Sequence, residues 1–430
     1  MFGALFIIIL YFYEYNMTGL NFKNTNFKRL SPKSVKRFYH LDYYYFLLSV
    51  ITNKPVHESS ILNSIKNQIQ KFNEIAYSLI SVKKFGTKYS IRSVLEESVY
   101  FGLVNYDSRR YSITGEGLNL LEAFENRQIK LAERIIGEKM EILYGGISQL
   151  VESLYRANLQ DGLIVFPKPS PKDLGLNSKR LLHEKYLKEY VKAFAEYTYD
   201  NILKYVGKEI FPSEIEKTLF SNLVFFLTKA KENNVINVNL PREVKNIMYD
   251  FYLKTILDNK FDRVSFEIWL LRCKELRIVN SSEFFPNTFS RVIYPTSRLS
   301  TFVPSSFEFF ANAKSLNKII VRFCPKWSNF KEVFMQALWE IYQELTSMSK
   351  SFYVSVLDLR DVICFKLQIS EKDFEEFLGT AFNESIEGRM DWDISLEVDR
   401  LPEERVFVKS KRFPILINNI PKNIIAIKIK

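Results

Sequence analysis

The stretch GLVNYDSRRYSITGEGLNLL, Gly102 to Leu121, decides how the rest of the chain is read. Leu103 and Val104 close an apolar helix and lead into a short strand. The polar run Asp107-Ser108-Arg109-Arg110 turns the chain, and Tyr111-Ser112-Ile113-Thr114 returns as a second strand. A new amphipathic helix opens at Gly115. Asp and Ser favour such turns because their short side chains bond to nearby backbone, and Tyr and Ile flank this one with period-two alternation.

Upstream, Leu41–Thr52 (LDYYYFLLSVIT) is an apolar helix stopped by Asn53-Lys54-Pro55, since proline cannot continue a helix. From His57 to Ile80 the apolar residues Ile61, Leu62, Ile65, Ile69, Phe72, Ile75 and Leu79 recur at helical spacing. Ser81 to Gly86 reads as a short element ended by glycine, and a third helix, Ser90–Leu103, carries a core face of Ile91, Val94, Leu95, Val99 and Leu103. Helix, turn, helix and basic hairpin over residues 41–124 resemble the winged helix-turn-helix superfamily. The resemblance implies a recognition helix whose exposed N-terminal end, Lys88, Ser90, Arg92 and Ser93, faces base edges, with Arg109 and Arg110 at the tip of the wing. Glu96 and Glu97 on the same helix would sit badly against phosphate, and many winged helices bind protein instead.

Charge supports a polyanionic partner. The 430 residues carry a formal net charge of +11 and a pI near 9.2. Between Tyr15 and Leu41 there is no acid, while Lys23, Lys28, Arg29, Lys33, Lys36 and Arg37 are all basic. Such an arm either lies along phosphates or is a solvated leader into the first helix. Ahead of it, residues 2–13 (FGALFIIILYFY) are wholly apolar but fall short of the roughly 20 residues of a membrane span and lack the flanks of a signal peptide. The run is a short membrane anchor, a strand or helix packed on the fold, or translated sequence upstream of Met17; one of the last two is expected.

Cysteines are few. Cys273, Cys324 and Cys364 form no CxxC pair, so the chain is expected in the reducing cytoplasm without disulfides or zinc. The heavy aromatic content, 15%, is dispersed through amphipathic segments and reflects composition together with abundant Ile, Lys and Asn.

Downstream, Glu116–Arg156 continues as long helix with a break at Gly145-Gly146. Six segments follow from the pattern: an apolar start and basic arm (1–40), the winged helix (41–125), connecting helices (126–161), a Pro-rich linker (162–180), a helical domain with a degenerate winged helix (181–325), and a C-terminal winged-helix-like domain (326–430). In the last, strand 352–356 leads to helices 358–367 and 370–382, then to a hairpin of 394–399 with 405–409. Its would-be recognition helix carries Glu371, Asp373, Glu375 and Glu376, which repel DNA and point to a protein partner or a structural role.

No phosphate-binding GxxxxGK[ST], dinucleotide-binding GxGxxG or nucleophile-elbow GxSxG is present, and the three histidines have no metal-ligand spacing. Asp358/Asp361 and Asp391/Asp393/Glu397/Asp399 are the acid clusters that a metal-dependent nuclease would need. Each is equally at home at a helix N-terminus or on a solvated hairpin. The expectation is an α+β fold, mostly α, of several winged-helix-like units joined by helical segments. It binds DNA without catalysis, cofactor, metal or small-molecule substrate, as an adaptor to a protein partner such as an ATPase or nuclease subunit. The alternatives are a structural subunit whose winged helices bind only protein, and the nuclease.

Overall fold

Seven residues, Asp42-Tyr-Tyr-Tyr-Phe-Leu-Leu48, form helix α1 (Asp42–Leu48) with every side chain buried. A helix apolar on all sides has no solvent face, so others must pack around it. In the computed structural model, the described residues are 29–38, 40–75, 88–157, 164–167, 188–196, 199, 212–233, 246–247, 249–251, 253–254, 261–282, 290–398, 415–417 and 420–429. Over these the chain is α+β and mostly α.

After Pro55 come β1 (Val56–His57), α2 (Glu58–Ile75) and α3 (Lys88–Tyr100); the expected element at Ser81–Gly86 lies outside the described residues. Helix α3 ends at Gly102 (φ +70°), where Leu103 N–H reaches back to Ser98 O at 2.9 Å. The positive φ is what glycine provides at a helix end. Strands β2 (Val104–Asp107) and β3 (Arg110–Ile113) follow, with sheet order β1-β3-β2 and Tyr111 opposite both Val56 and Tyr106. Helix α4 (Gly115–Glu125) starts on Thr114, whose hydroxyl accepts from Gly117 N–H at 3.0 Å. A side chain at Gly117 would collide with Leu103 O, so the helix lies directly on the strand entry.

Helices α5 (Ile129–Tyr144) and α6 (Gly146–Ala157) are separated by Gly145 at φ +65°, the break expected from the glycine pair. Strand β4 (Ile164–Pro167) comes from the start of the Pro-rich stretch. Helix α7 (Pro212–Glu232) precedes α8 (Arg263–Glu275), which Asp262 caps by accepting from Val264 and Ser265 N–H at 2.9 Å. Then β5 (Val279–Ser282) and β6 (Ser290–Pro295) join β4 in the order β4-β6-β5. The strand-like run 289–303 divides at Thr296: β7 (Ser297–Ser300) belongs to another sheet, β7-β9-β8, with β8 (Phe307–Ala313) and β9 (Lys318–Phe323).

The last unit is α9 (Trp327–Ser349), β10 (Val354–Ser355), α10 (Val356–Leu367), α11 (Glu371–Ile386) and β11 (Trp392–Glu397). After β12 (Ile415–Ile417) and β13 (Ile420–Lys422), which pair together, β14 (Ile424–Ile429) closes the sheet β10-β14-β11. β11 pairs with β14; residues 405–409, the expected partner, lie outside the described residues. Ile425 and Ile427 of β14 bury the same face as Leu396 and Ile394 opposite them, so the apolar alternation of the two strands matches in this register.

The four three-stranded sheets share one order, in which the strand last in sequence sits in the middle between the other two. Strand β6 stands between two cores. Ile293 faces the larger one, built on α1 to α8, while Val292 and Tyr294 face the C-terminal one. Period-two alternation of a strand allows one element to serve both. Among the described residues no helix is long and apolar enough to cross a membrane, and residues 2–13 lie outside them.

Candidate nucleic-acid interface

The hairpin turn is tighter than the four-residue turn expected from sequence. Strands run to Asp107 and from Arg110, leaving only Ser108 (φ 49°) and Arg109 (φ 65°) between them. Two successive left-handed residues match the right-handed twist of a hairpin, which is why two-residue loops take this form. Ser108 Oγ donates to Asp107 Oδ1 at 3.1 Å, so the polar bond links two side chains across the turn. Arg109 and Arg110 are exposed, and among the described residues neither has an ion-pair partner.

Helix α3 offers the surface less than the sequence reading supposed. Ile91, Ser93, Val94, Leu95, Glu97 and Ser98 are buried, leaving Arg92, Glu96 and Tyr100 as a single exposed stripe. Arg92 is tied to Glu58 of α2, and Glu96 to Lys36. Lys88 and Ser90 open the helix, but their side chains lie outside the described residues.

The two acids feared as repulsive are both accounted for. Glu96 is neutralised by Lys36, and Glu97 turns inward. Its carboxylate accepts from Tyr44 Oη (2.6 Å) and Tyr144 Oη (2.7 Å) and lies 3.1 Å from the fully buried guanidinium of Arg272 on α8. Burial first, and the Glu97 charge second, push both tyrosine hydroxyls well above their ordinary range. Burial alone would favour a neutral Arg272, but Glu97 together with Tyr44 and Tyr144 more than offsets it and holds the guanidinium charged.

The basic arm is not free from Arg29 onward. Leu30 N–H bonds Leu143 O at 2.9 Å, Trp269 Nε1 donates to Pro32 O at 2.9 Å, and Val35 and Phe38 are buried. Arg272 also donates to Lys36 O (2.9 Å) and Phe38 O (3.3 Å), so the arm supplies acceptors that a buried guanidinium requires. Arg29 lies 3.6 Å from Glu141. Lys33 and Arg37 are exposed with no ion pair among the described residues, and Lys28 lies outside them.

Between hairpin and helices is a groove of about 410 Å³. Its walls are Glu58, Ser59 and Leu62 of α2, Arg92 of α3, and Tyr106, Arg109 and Tyr111 of the hairpin, with His57 at one end. The rings of Tyr106 and Tyr111 are 4.8 Å apart. Partial burial raises the Tyr111 hydroxyl, with further contributions from Tyr106 and Glu58.

The acids of α11 stand elsewhere and each lies beside one of this chain's own cations, with Glu376 still exposed. Glu371 pairs with Lys274 (3.0 Å), Asp373 with Arg277 (2.5 Å), and Glu376 with Arg277 (3.2 Å) and Lys130 (3.4 Å). Glu375 is 3.7 Å from Arg360. Asp373 also completes a capping box with Ser370, giving α11 its start. Beneath it, buried Glu133 meets Arg277, Arg322 and Lys372 at 2.9–3.3 Å. Burial would raise that carboxyl, but the three cations hold it below the usual range. Arg272, Arg277, Arg322 and Glu133 were missed from sequence; the available signal was an arginine set inside the apolar runs FEIWLLRC and KIIVRF.

The acids considered for a nuclease are dispersed. Asp358 lies in the first turn of α10, Asp361 is buried beside Arg360 with Ser282 Oγ at 3.2 Å, and Asp391, Asp393 and Glu397 are exposed. Asp399 lies outside the described residues. Among the described residues no three His, Cys, Asp or Glu side chains are gathered as a metal ion would need. Comparison with protein-family models, curated proteins and solved structures finds no match to this chain.

Proposed function

We propose that this chain is a non-enzymatic nucleic-acid-binding protein, with residues 41–125 acting as a winged helix that holds duplex DNA through its hairpin. The remaining units form a scaffold that would join the DNA to a cytoplasmic DNA-processing complex. The observation that carries this reading is the pair Arg109 and Arg110: two exposed arginines on a protruding turn with no ion pair among the described residues. Most other arginines here are spent on carboxylates, as Arg272, Arg277, Arg291, Arg322 and Arg360 are. An arginine left at a tip has only solvent or a polyanion to meet, and phosphate contacts of this kind supply affinity without reading sequence. Internal pairing of Glu96 and Glu97 removes the repulsion that would otherwise oppose it.

The test is a shift or anisotropy assay on duplex DNA across salt. Affinity should fall by orders of magnitude between about 50 and 200 mM salt if several phosphates are covered. Arg109→Ala with Arg110→Ala should weaken it severalfold and flatten the salt slope by about one unit per contact. Binding that ignores salt, or survives loss of both arginines unchanged, overturns the reading.

One observation favours a second reading, a subunit whose winged helices bind protein. Among the described side chains of helix α3, Arg92, Glu96 and Tyr100 are exposed, and both of these charges are already paired, which is little surface for a major groove. Absence of any DNA binding, with a stable protein complex recovered by the same chain, selects it.

A further inference from the structure

The groove beside the hairpin has a shape and chemistry that a duplex backbone does not use. Tyr106 leaves 53% of its surface exposed although it is a large aromatic, and it lies against Tyr111, so one ring is backed by the other. The space in front of the pair, about 410 Å³, is flanked by Arg92 and Arg109. Glu58 and Ser59 add acceptors on the α2 side, and Leu62 gives that wall an apolar patch.

From this geometry we infer that the groove is a binding site for an unpaired nucleotide, the base lying against Tyr106 and its phosphates between Arg92 and Arg109. This rests on the nucleic-acid reading above and deepens it: the substrate is DNA with an unpaired segment beside the duplex. In a continuous duplex both faces of each base are covered by neighbours, so a tyrosine at the surface finds no ring to stack on. An unpaired base offers its face, and stacking on an aromatic side chain is independent of sequence because every base has one. The cations supply the phosphate half of the contact, as single-strand sites generally combine the two. Arg92 is held by Glu58 and has half of its side chain exposed, so it is already positioned at the rim. Glu58 can also accept a hydrogen bond from an amino group on the base edge.

The experiment uses the full chain and anisotropy at one low salt concentration. The probes are a short blunt duplex, the same duplex with a tail of a few unpaired nucleotides at the 5′ end, and the same with a 3′ tail. The expected result is that at least one tailed duplex binds about fivefold or more tighter than the blunt one, the lower end of base–aromatic stacking. Tyr106→Ala should bring the tailed probe down to the affinity of the blunt duplex, and Tyr106→Phe, which keeps the ring, should retain the preference. Arg109→Ala with Arg110→Ala should weaken both kinds of probe and the tailed one more, because Arg109 also meets the phosphates of the unpaired segment. Equal binding of all three probes by the native chain, or a preference that survives Tyr106→Ala, overturns the inference while leaving duplex binding in place. No binding to any probe overturns the nucleic-acid reading and this inference with it.

Discussion

Arg272 shows how much a single side chain can carry here. It is fully buried, lies over the Phe38 ring at 4.3 Å, pairs with Glu97, and holds two carbonyls of the arm. Removing one partner of a buried pair leaves the other charge uncompensated, which costs about 3–5 kcal/mol, whereas removing both costs far less. Arg272→Met should therefore destabilise the chain by about that amount in urea denaturation, and Arg272→Met with Glu97→Gln should recover a large part of the loss. A double variant no better than the single one would show that the carbonyls of the arm, not Glu97, are what Arg272 serves. The position was only half legible in sequence. FEIWLLRCKELRIV reads as a helix from its spacing, and the helix forms. That its arginine meets an acid 175 positions earlier was not readable, because a pairing across that separation leaves no local pattern. Glu96 and Glu97 make the same point: they are adjacent in sequence, but a helix turns about 100° per residue, so one faces solvent and the other the core.

At the scale of elements, the hairpin is where stability and function pull apart. Arg109 sits at φ 65°, a backbone region that costs an L residue roughly 1–2 kcal/mol and that glycine enters freely. Arg109→Gly and Arg109→Ala both delete the guanidinium, but only glycine relieves the backbone. The glycine variant should be about 1 kcal/mol more stable than the alanine variant, after its larger unfolded-state entropy is set against the relief. Both should lose DNA affinity equally. Differing affinities would show that turn geometry, and not the cation, is what DNA meets. Elements whose signals are local were well read in advance: the stop at Pro55, the hairpin and the Gly145 break. That β14 pairs with β11 was not read, since a strand advertises its buried face but not which distant strand will cover it. That the acids of α11 pair with Lys274, Arg277 and Lys130 was not readable, because those cations lie on segments remote in sequence.

At the scale of the whole molecule, those acids fasten the C-terminal unit to the rest, and their unequal pairing sets a pH dependence. Glu371, Asp373 and Glu376 each meet a cation from outside that unit. Glu375 has, among the described residues, an ion pair with Arg360 of its own unit at 3.7 Å, and Lys372 and Arg277 act on it more weakly. Burial therefore dominates at Glu375 and pushes its carboxyl up to about 7, with Arg360 opposing and Glu371 reinforcing. A carboxyl whose folded value exceeds its unfolded one binds protons more tightly in the native state. Its contribution is thus fully present at low pH and is lost as pH rises from the ordinary carboxylate value, 4.5, through about 7. Glu375→Gln fixes the group in its neutral form. Near pH 5 the variant and the native chain should melt at nearly the same temperature, and above pH 7 the variant should melt higher. Taking the difference between the two cancels every other titrating group, including buried Glu133, whose depressed value acts with the opposite sign at acid pH. A constant gap across the range would mean that Glu375 is ionised in the native state throughout, with Arg360 supplying all the compensation that burial demands.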